Sequence, residues 1–223
     1  MVGNRKLVIG GYDTATEMWT LASCVLTKGE QMQSIVDVPG RYAPLDLSTY
    51  LTDGQPYYGT AILEATLESS AGTRQSRQVR IDDMVNALDG KRWSIVHPDH
   101  ASAYLIGRVQ IYPQYNDLAH CAVRLNAVCE PWYYAADETT VQLTASATEQ
   151  TAQIVVSGGK PVVPVVVISA AGEVTLQYGA STWTLAEGEH ILPDLYLTPG
   201  THELVYSGTG TVSLTYREAV LAA

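Results

Sequence analysis

Residues 76–90 read SRQVRIDDMVNALDG, and this is the one long stretch whose apolar residues follow a helical period. Ile81, Met84, Val85 and Leu88 fall at i, i+3, i+4 and i+7, one face of an α-helix. Ser76 is the expected N-cap, and Gly90 stands where a helix-ending glycine belongs. Asp82 and Asp83 read as early-helix acids that suit the helix dipole. They do not read as a catalytic carboxylate pair, because adjacent helical residues point in different directions. A lone amphipathic helix in a chain otherwise punctuated as β must cover a sheet face or a subunit contact.

Upstream, residues 5–9 and 19–27 read as short strands. Pro39-Gly40 fits a type II turn, and residues 53–59 read as a loop. Residues 60–68, TAILEATLE, alternate, with Ala61, Leu63, Ala65 and Leu67 on one face. Downstream, residues 92–97 and 103–112 read as a hairpin closed by HPDHAS, and 119–129 as another alternating strand. The run EPWYYAADETT at 130–140 breaks the pattern and marks the domain boundary, giving domains of 1–131 and 132–223. The second is all β by its punctuation, with strands near 141–146, 151–157, 162–169, 173–178, 181–186, 194–197, 202–207 and 211–217. GTG at 208–210 reads as a hairpin turn. Short strands at this spacing predict a sandwich or barrel.

Of the 223 residues 46% are hydrophobic, and the formal net charge is -10. An acidic chain gains nothing from counterion release at phosphates, and anionic lipid repels it, so nucleic-acid and membrane-surface binding are disfavoured. No apolar run approaches the ~20 residues of a membrane span. The N-terminal apolar run is too short for a signal peptide. Phe is absent and Tyr reaches 14, so tyrosines supply much of the aromatic packing and sit at core margins or interfaces. The three cysteines, Cys24, Cys121 and Cys129, suggest neither a disulfide framework nor a zinc site. Cys121 and Cys129 share parity with Val123, Leu125 and Ala127 and read as small core residues, as suits assembly in a reducing cytosol.

His97, Asp99 and His100 lie close together and admit a metal or acid–base reading, but a metal needs further ligands, and a polar hairpin tip accounts for them equally. Arg74, Arg77 and Arg80 form a local basic run at the helix entry, either a solvated face or an inter-subunit salt-bridge patch. Trp132, Tyr133 and Tyr134, or Trp183 with Tyr178, admit a sugar-stacking platform, and also plain packing. No nucleophile elbow, zinc-protease, phosphate-loop or dinucleotide motif occurs, and nothing implies a catalytic residue, a metal or a cofactor.

The order of these segments resembles the distal tail protein family of long, non-contractile-tailed bacteriophages. The likeness rests on DVPGR (37–41), LDLS (45–48), the strand from Tyr57 to Leu67, ALDGK (87–91), YLIGRVQI (104–111) and VCEP (128–131) in the first domain. In the second it rests on SGGKPVVPVVVI (157–168), the LTPG turn and GTGTVSLTYRE (208–218). Two departures stand out. Tyr, Leu and Trp serve where the family often has Phe in its N-terminal strands, and the chain stops soon after Glu218, without an added receptor-binding module.

The resemblance implies a mainly β fold: an N-terminal β-sandwich with one helix and an extended hairpin, then a galectin-like or oligonucleotide-binding-type β-sandwich. It implies a non-enzymatic virion protein, a hexameric ring joining tail tube to tail tip, with a lumen for DNA. Its partners would be copies of itself and the tail tube, tape-measure and tail-tip proteins. A ring uses heterologous contacts, so Arg74, Arg77 and Arg80, with His97, Asp99 and His100 at the hairpin tip, become candidate inter-subunit residues. An acidic lumen would let DNA pass without adhering. The alternatives are a carbohydrate-binding adhesin module and a hydrolase with an unrecognised site. Galectin sugar sites need a His, Asn, Arg and Trp set that residues 136–223 do not supply.

Overall fold

The computed structural model describes residues 5–50, 52, 54–169 and 172–222. The chain divides into two compact units, one running to Tyr133 and taking in Ala222, the other spanning Tyr134–Leu221. No helix among the described residues is long and apolar enough to cross a membrane.

In the first unit the elements are β1 (Val8–Ile9), β2 (Tyr12–Asp13), β3 (Thr20–Thr27), β4 (Ile35–Val36), β5 (Leu45–Asp46) and β6 (Ala61–Ser69). Then come α1 (Arg74–Leu88), β7 (Arg92–Val96), β8 (Ala103–Asn116), β9 (Cys121–Cys129) and the start of β10 (Trp132–Ala135). The main sheet runs β2-β1-β7-β8-β9-β6-β3, every pair antiparallel. Its register follows the alternation in the sequence. Across β6 and β9, Ala61, Leu63, Ala65 and Leu67 face Cys129, Ala127, Leu125 and Val123, and all of these are buried. A one-residue slip would turn the whole set to solvent, which pins the pairing. Pro113 has no N–H to give the ladder, and the register shifts there between Pro113 and Tyr115, a bulge that absorbs it.

The helix α1 packs on β8. It buries Ile81, Met84 and Leu88, as the spacing predicts, and with them Arg77. Burial of such apolar side chains contributes on the order of 1.5–3 kcal/mol each. The helix starts earlier than expected. Thr73, not Ser76, is the N-cap: its backbone is extended, and its hydroxyl accepts from the Ser76 N–H at 3.2 Å. Asp82 and Asp83 consequently sit in mid-helix, and the first turn holds no acid. Gly90 follows the C-cap with φ +70°, the left-handed position expected of it.

The 92–112 segment forms β7 and part of β8, but it does not project. β7 lies between β1 and β8, and β8 pairs on with β9, so this hairpin sits inside the sheet. The hairpin that stands outside the main sheet is β4–β5, a two-stranded sheet of its own with largely exposed residues.

The second unit contains β11 (Thr139–Ala145), β12 (Gln150–Val156), β13 (Val165–Ser169), β14 (Val174–Tyr178), β15 (Ser181–Leu185), β16 (Gly188–Ile191), β17 (Gly200–Gly208), β18 (Gly210–Tyr216) and β19 (Ala219–Leu221). It is a sandwich of two four-stranded sheets, β11-β18-β13-β16 and β12-β17-β14-β15. Counted from β11 these orders are 1-8-3-6 and 2-7-4-5, the strand order of a jelly roll. The core between the sheets is built from Ile154, Val166, Ile168, Leu176, Leu204, Val212 and Leu214. Two expectations fail here. Residues 194–197 form no strand: β16 takes that place in the sheet, while Leu195 and Leu197 are still buried. GTG at 208–210 is not a hairpin, because β17 and β18 belong to different sheets. It is a crossing between layers, and it needs glycine: Gly208 has φ +124°, and a Cβ there would lie 2.3 Å from the Glu173 carbonyl oxygen.

Met84→Ala is expected to lower unfolding free energy by about 2–5 kcal/mol. Val79→Ala, on the exposed face of the same helix, is expected to stay within about 0.5 kcal/mol. Urea unfolding of both variants checks this.

Candidate functional site

The candidate residues gather at opposite ends of β8. Where β8 ends, the arginines of the helix entry meet Asn116 and Asp117. A cation at the positive end of a helix gains nothing from the dipole, and each arginine turns to a neutral oxygen. Arg74 is exposed and its Nε donates to the Asn116 carbonyl at 3.0 Å, while Asn116 Nδ2 donates back to the Arg74 carbonyl at 3.0 Å. Arg80 is half-buried and donates to Ser69 Oγ at 2.9 Å. Arg77 is only 1% exposed. Its guanidinium donates to the carbonyls of Gly72 at 2.7 Å and Asp117 at 2.8 Å, tying the segment before the helix to the β8–β9 turn.

The basic run is therefore not one surface patch, since Arg77 has no face to offer a neighbour. The signal was present in the spacing: Arg77 stands four residues before Ile81 and seven before Met84, on the apolar stripe. Asp117 completes the turn by accepting from the N–H groups of Ala119 at 2.7 Å and His120 at 2.8 Å. These two bonds hold its carboxyl below the usual range.

Where β8 begins, His97, Asp99 and His100 come together in the 97–102 turn. His97 is 7% exposed, and its Nδ1 accepts from the Asp99 N–H at 3.2 Å. Asp99 pairs with Arg5. His100 stacks on Tyr133 with ring centroids 4.3 Å apart, and the two histidine rings lie 5.8 Å apart. Burial pushes His97 below its ordinary value, aided by His100 and Arg5 and opposed by Asp99. Among the described residues no group of His, Cys, Asp and Glu is arranged to hold a metal ion.

The aromatic residues are already engaged. Tyr58 meets Trp132 edge-on at 6.0 Å. Tyr133 is 3% exposed, and its burial pushes the hydroxyl up to about 12. In the second unit Tyr178 shares a hydrogen bond of 2.9 Å with His202 Nδ1, and it and Trp183 pack against the core. The three cysteines are free, and burial pushes Cys24 to about 11 and Cys129 to about 12, so both stay thiols. The second unit is the more acidic. Nine Asp and Glu stand against Lys160 and Arg217 alone from Tyr134 onward, giving -7 of the -10. Lys160 donates to Tyr134 Oη at 2.6 Å, and Arg217 to the carbonyls of Ala135 and Ala136 and to Glu138.

One exposed feature of the first unit has no helical or strand period in the sequence. The described residues between 30 and 58 form an arm, closed at its neck by the antiparallel bridge Gln31–Tyr58 and by bonds from the Gly59 N–H to the Glu30 carbonyl at 2.8 Å and the Met32 N–H to the Tyr57 carbonyl at 2.9 Å. Beyond the neck, β4 and β5 pair over two residues each, Ile35 with Asp46 and Val36 with Leu45. At the tip Pro39-Gly40 makes the expected type II turn: Gly40 has φ +87°, and the Arg41 N–H bonds the Val38 carbonyl at 3.1 Å. Met32, Ile35, Val36, Val38, Tyr42, Tyr50 and Tyr57 are all exposed. A hollow of about 460 Å³ opens between the two sides of the arm, lined by Met32, Gln33, Ser34, Leu47, Ser48, Tyr50, Thr52 and Tyr57. The sequence signal was a density of apolar residues with no period to assign them to a core.

Comparison with known proteins then bears on the fold. No family model and no curated protein matches the chain. A solved structure does, that of the Dit protein (gp 19.1) of phage SPP1, described as a paradigm of the hub adsorption apparatus in phages infecting Gram-positive bacteria. The TM-score is 0.68 at 16% sequence identity, over 97% of this chain and 99% of that one. The fold is Dit-like. The likeness runs through both units and is one of architecture.

Arg77→Ala is expected to cost about 2 kcal/mol or more, because it strands two carbonyls and opens a cavity. Arg74→Ala is expected to cost less than about 1 kcal/mol; thermal or urea unfolding separates them. The depressed value of His97 has a defined sign. Below 6.5, its ordinary value, the unfolded chain binds a proton that the folded chain refuses, so stability falls as pH drops from 6.5 toward the lower folded value. Urea midpoints at pH 7.5 and 5.5 are expected to diverge in the wild type and to draw together in His97→Gln.

Proposed function

We propose that the chain is a structural protein of a long, non-contractile phage tail, the hub that joins tail tube to tail tip. In this reading it works in the virion as a ring, six subunits around a lumen for DNA, and performs no catalysis. Its partners are copies of itself and the tube, tape-measure and tip proteins. The observation that supports this reading is the end-to-end match to a phage hub protein, through both units.

The arm at 30–58 supports the assembly part independently. An isolated two-stranded hairpin is marginal in water, and a contiguous set of exposed large apolar side chains marks a protein contact. A ring needs two different complementary patches on each subunit, and the arm supplies one that stands clear of the core. The exposed Arg74, Asp99 and His100 remain candidates for a further contact, whereas His97 is buried.

Negative-stain images and native mass spectra of the purified chain are expected to show closed rings. Joining Gln31 to Tyr58 through an Asn-Gly turn, which removes the arm and keeps the neck pairing, is expected to leave a folded monomer. A wild-type chain that stays monomeric at high concentration, alone and with the tube protein, overturns the reading.

A further inference from the structure

The arm carries both a projecting aromatic and a hollow, and it cannot bring them together itself. Tyr42 stands fully exposed at the tip, in the loop beyond the β4–β5 pair. The hollow lies on the other side of that pair, toward the neck, with Met32, Leu47, Tyr50 and Tyr57 as its apolar lining and Ser34 and Ser48 beside them. Its volume of about 460 Å³ falls in the ~300–1,000 Å³ range of sites that enclose organic groups, ample for one phenol ring.

The charges are arranged in the same sense. Arg41, next to Tyr42, is the only cation between residues 30 and 58, and among the described residues it forms no ion pair. Asp46 adjoins Leu47 and Ser48 at the hollow and is held in place by the Ser48 N–H at 2.9 Å. The Ser48 hydroxyl and N–H hold its carboxyl below the usual range, so it is anionic at neutral pH.

We propose that Tyr42 of one copy of this chain inserts into the Met32–Leu47–Tyr50–Tyr57 hollow of the next, with Arg41 meeting Asp46 at the rim. The contact rests on the ring reading above and specifies its joint. Knob and hole are different surfaces of one subunit, so the contact is heterologous and propagates around a ring rather than closing a two-fold dimer. An aromatic filling a pocket ringed by apolar contacts is the type of residue that dominates an interface, and the flanking charge pair adds register.

The geometry permits a mixing test. Tyr42→Ala lacks the knob and keeps the hole; Met32→Arg fills and charges the hole and keeps the knob. Both positions are exposed, so the folded subunit tolerates either change. Each variant alone is expected to be monomeric, with self-association weakened roughly 30-fold or more. Mixed in equal amounts, they have one productive joint per pair and are expected to give a 1:1 heterodimer by native mass spectrometry, and nothing larger. Tyr42→Ala rings that survive unchanged overturn the proposal while leaving the ring reading intact, and assign the arm to another tail protein. A mixture that stays monomeric while the wild type forms rings also overturns it.

If the wild type forms no rings, alone or with the tube protein, the ring reading fails, and disulfide trapping decides the joint. A chain carrying both Arg41→Cys and Asp46→Cys, which keeps Tyr42 and the hollow, is expected to form intermolecular disulfides on mild oxidation at high concentration, each joining the tip thiol of one copy to the rim thiol of another. Each single variant is the control. Absence of links specific to the double variant overturns the proposal.

Discussion

A sheet with one apolar face has to be covered, and in the first unit one helix does much of that work. Ile81, Met84 and Leu88 seal against the sheet, and the polar end of the same stripe is closed by Arg77. Burying a guanidinium is costly unless its donors are satisfied. Here the backbone answers two of its three nitrogens, through the Gly72 and Asp117 carbonyls, while Nε is buried without a partner. The cation thereby holds the approach to the helix and the β8–β9 turn against each other. Arg74 likewise holds a backbone carbonyl, that of Asn116, while Arg80 holds the Ser69 hydroxyl, so a run of positive charge becomes a set of local clamps.

The two units make different use of their surfaces. The second is closed on itself: its sheets bury their apolar faces against each other, and its two cations are held by its own tyrosine, carbonyls and carboxylate. Its charge is predominantly acidic, which repels polyanions. The first unit is left open in one respect. Its arm has short strands, a turn stiffened by Pro39 and a file of exposed apolar side chains, a composition that water does not stabilise. Such an element is explained by what it docks with, and in the reading proposed above that partner is another copy of the same chain.

Much of the β framework was legible because period-two alternation is a local signal. Ala61 to Leu67 and Cys121 to Cys129 announce their inward faces residue by residue, and the helix announces its stripe in the same way. The misreadings share a cause. Ser76 loses the N-cap to Thr73 because a cap is decided by which backbone leaves the helix in extended form, and both residues carry a hydroxyl. GTG at 208–210 looks like a hairpin because a glycine turn is the same in sequence whether the strands it joins pair with each other or with others. The 92–112 hairpin was given the projecting role because pairing partners such as β1 are short and remote in sequence. For the candidate residues, the groupings at 74–80 and 97–100 were visible, but not that Arg77 and His97 face inward.

By itself the sequence determined which residues pair with the interior, where the one helix lies, the acidic balance, and the position of turns that need proline or glycine, since each is set by neighbours within a few residues. Tertiary structure alone decided the strand order of both units, the jelly-roll crossing of the second, the burial of Arg77 and His97, and the isolation of the arm. Those depend on contacts between segments far apart in the chain, where many pairings satisfy the same local pattern and only the packed whole selects among them.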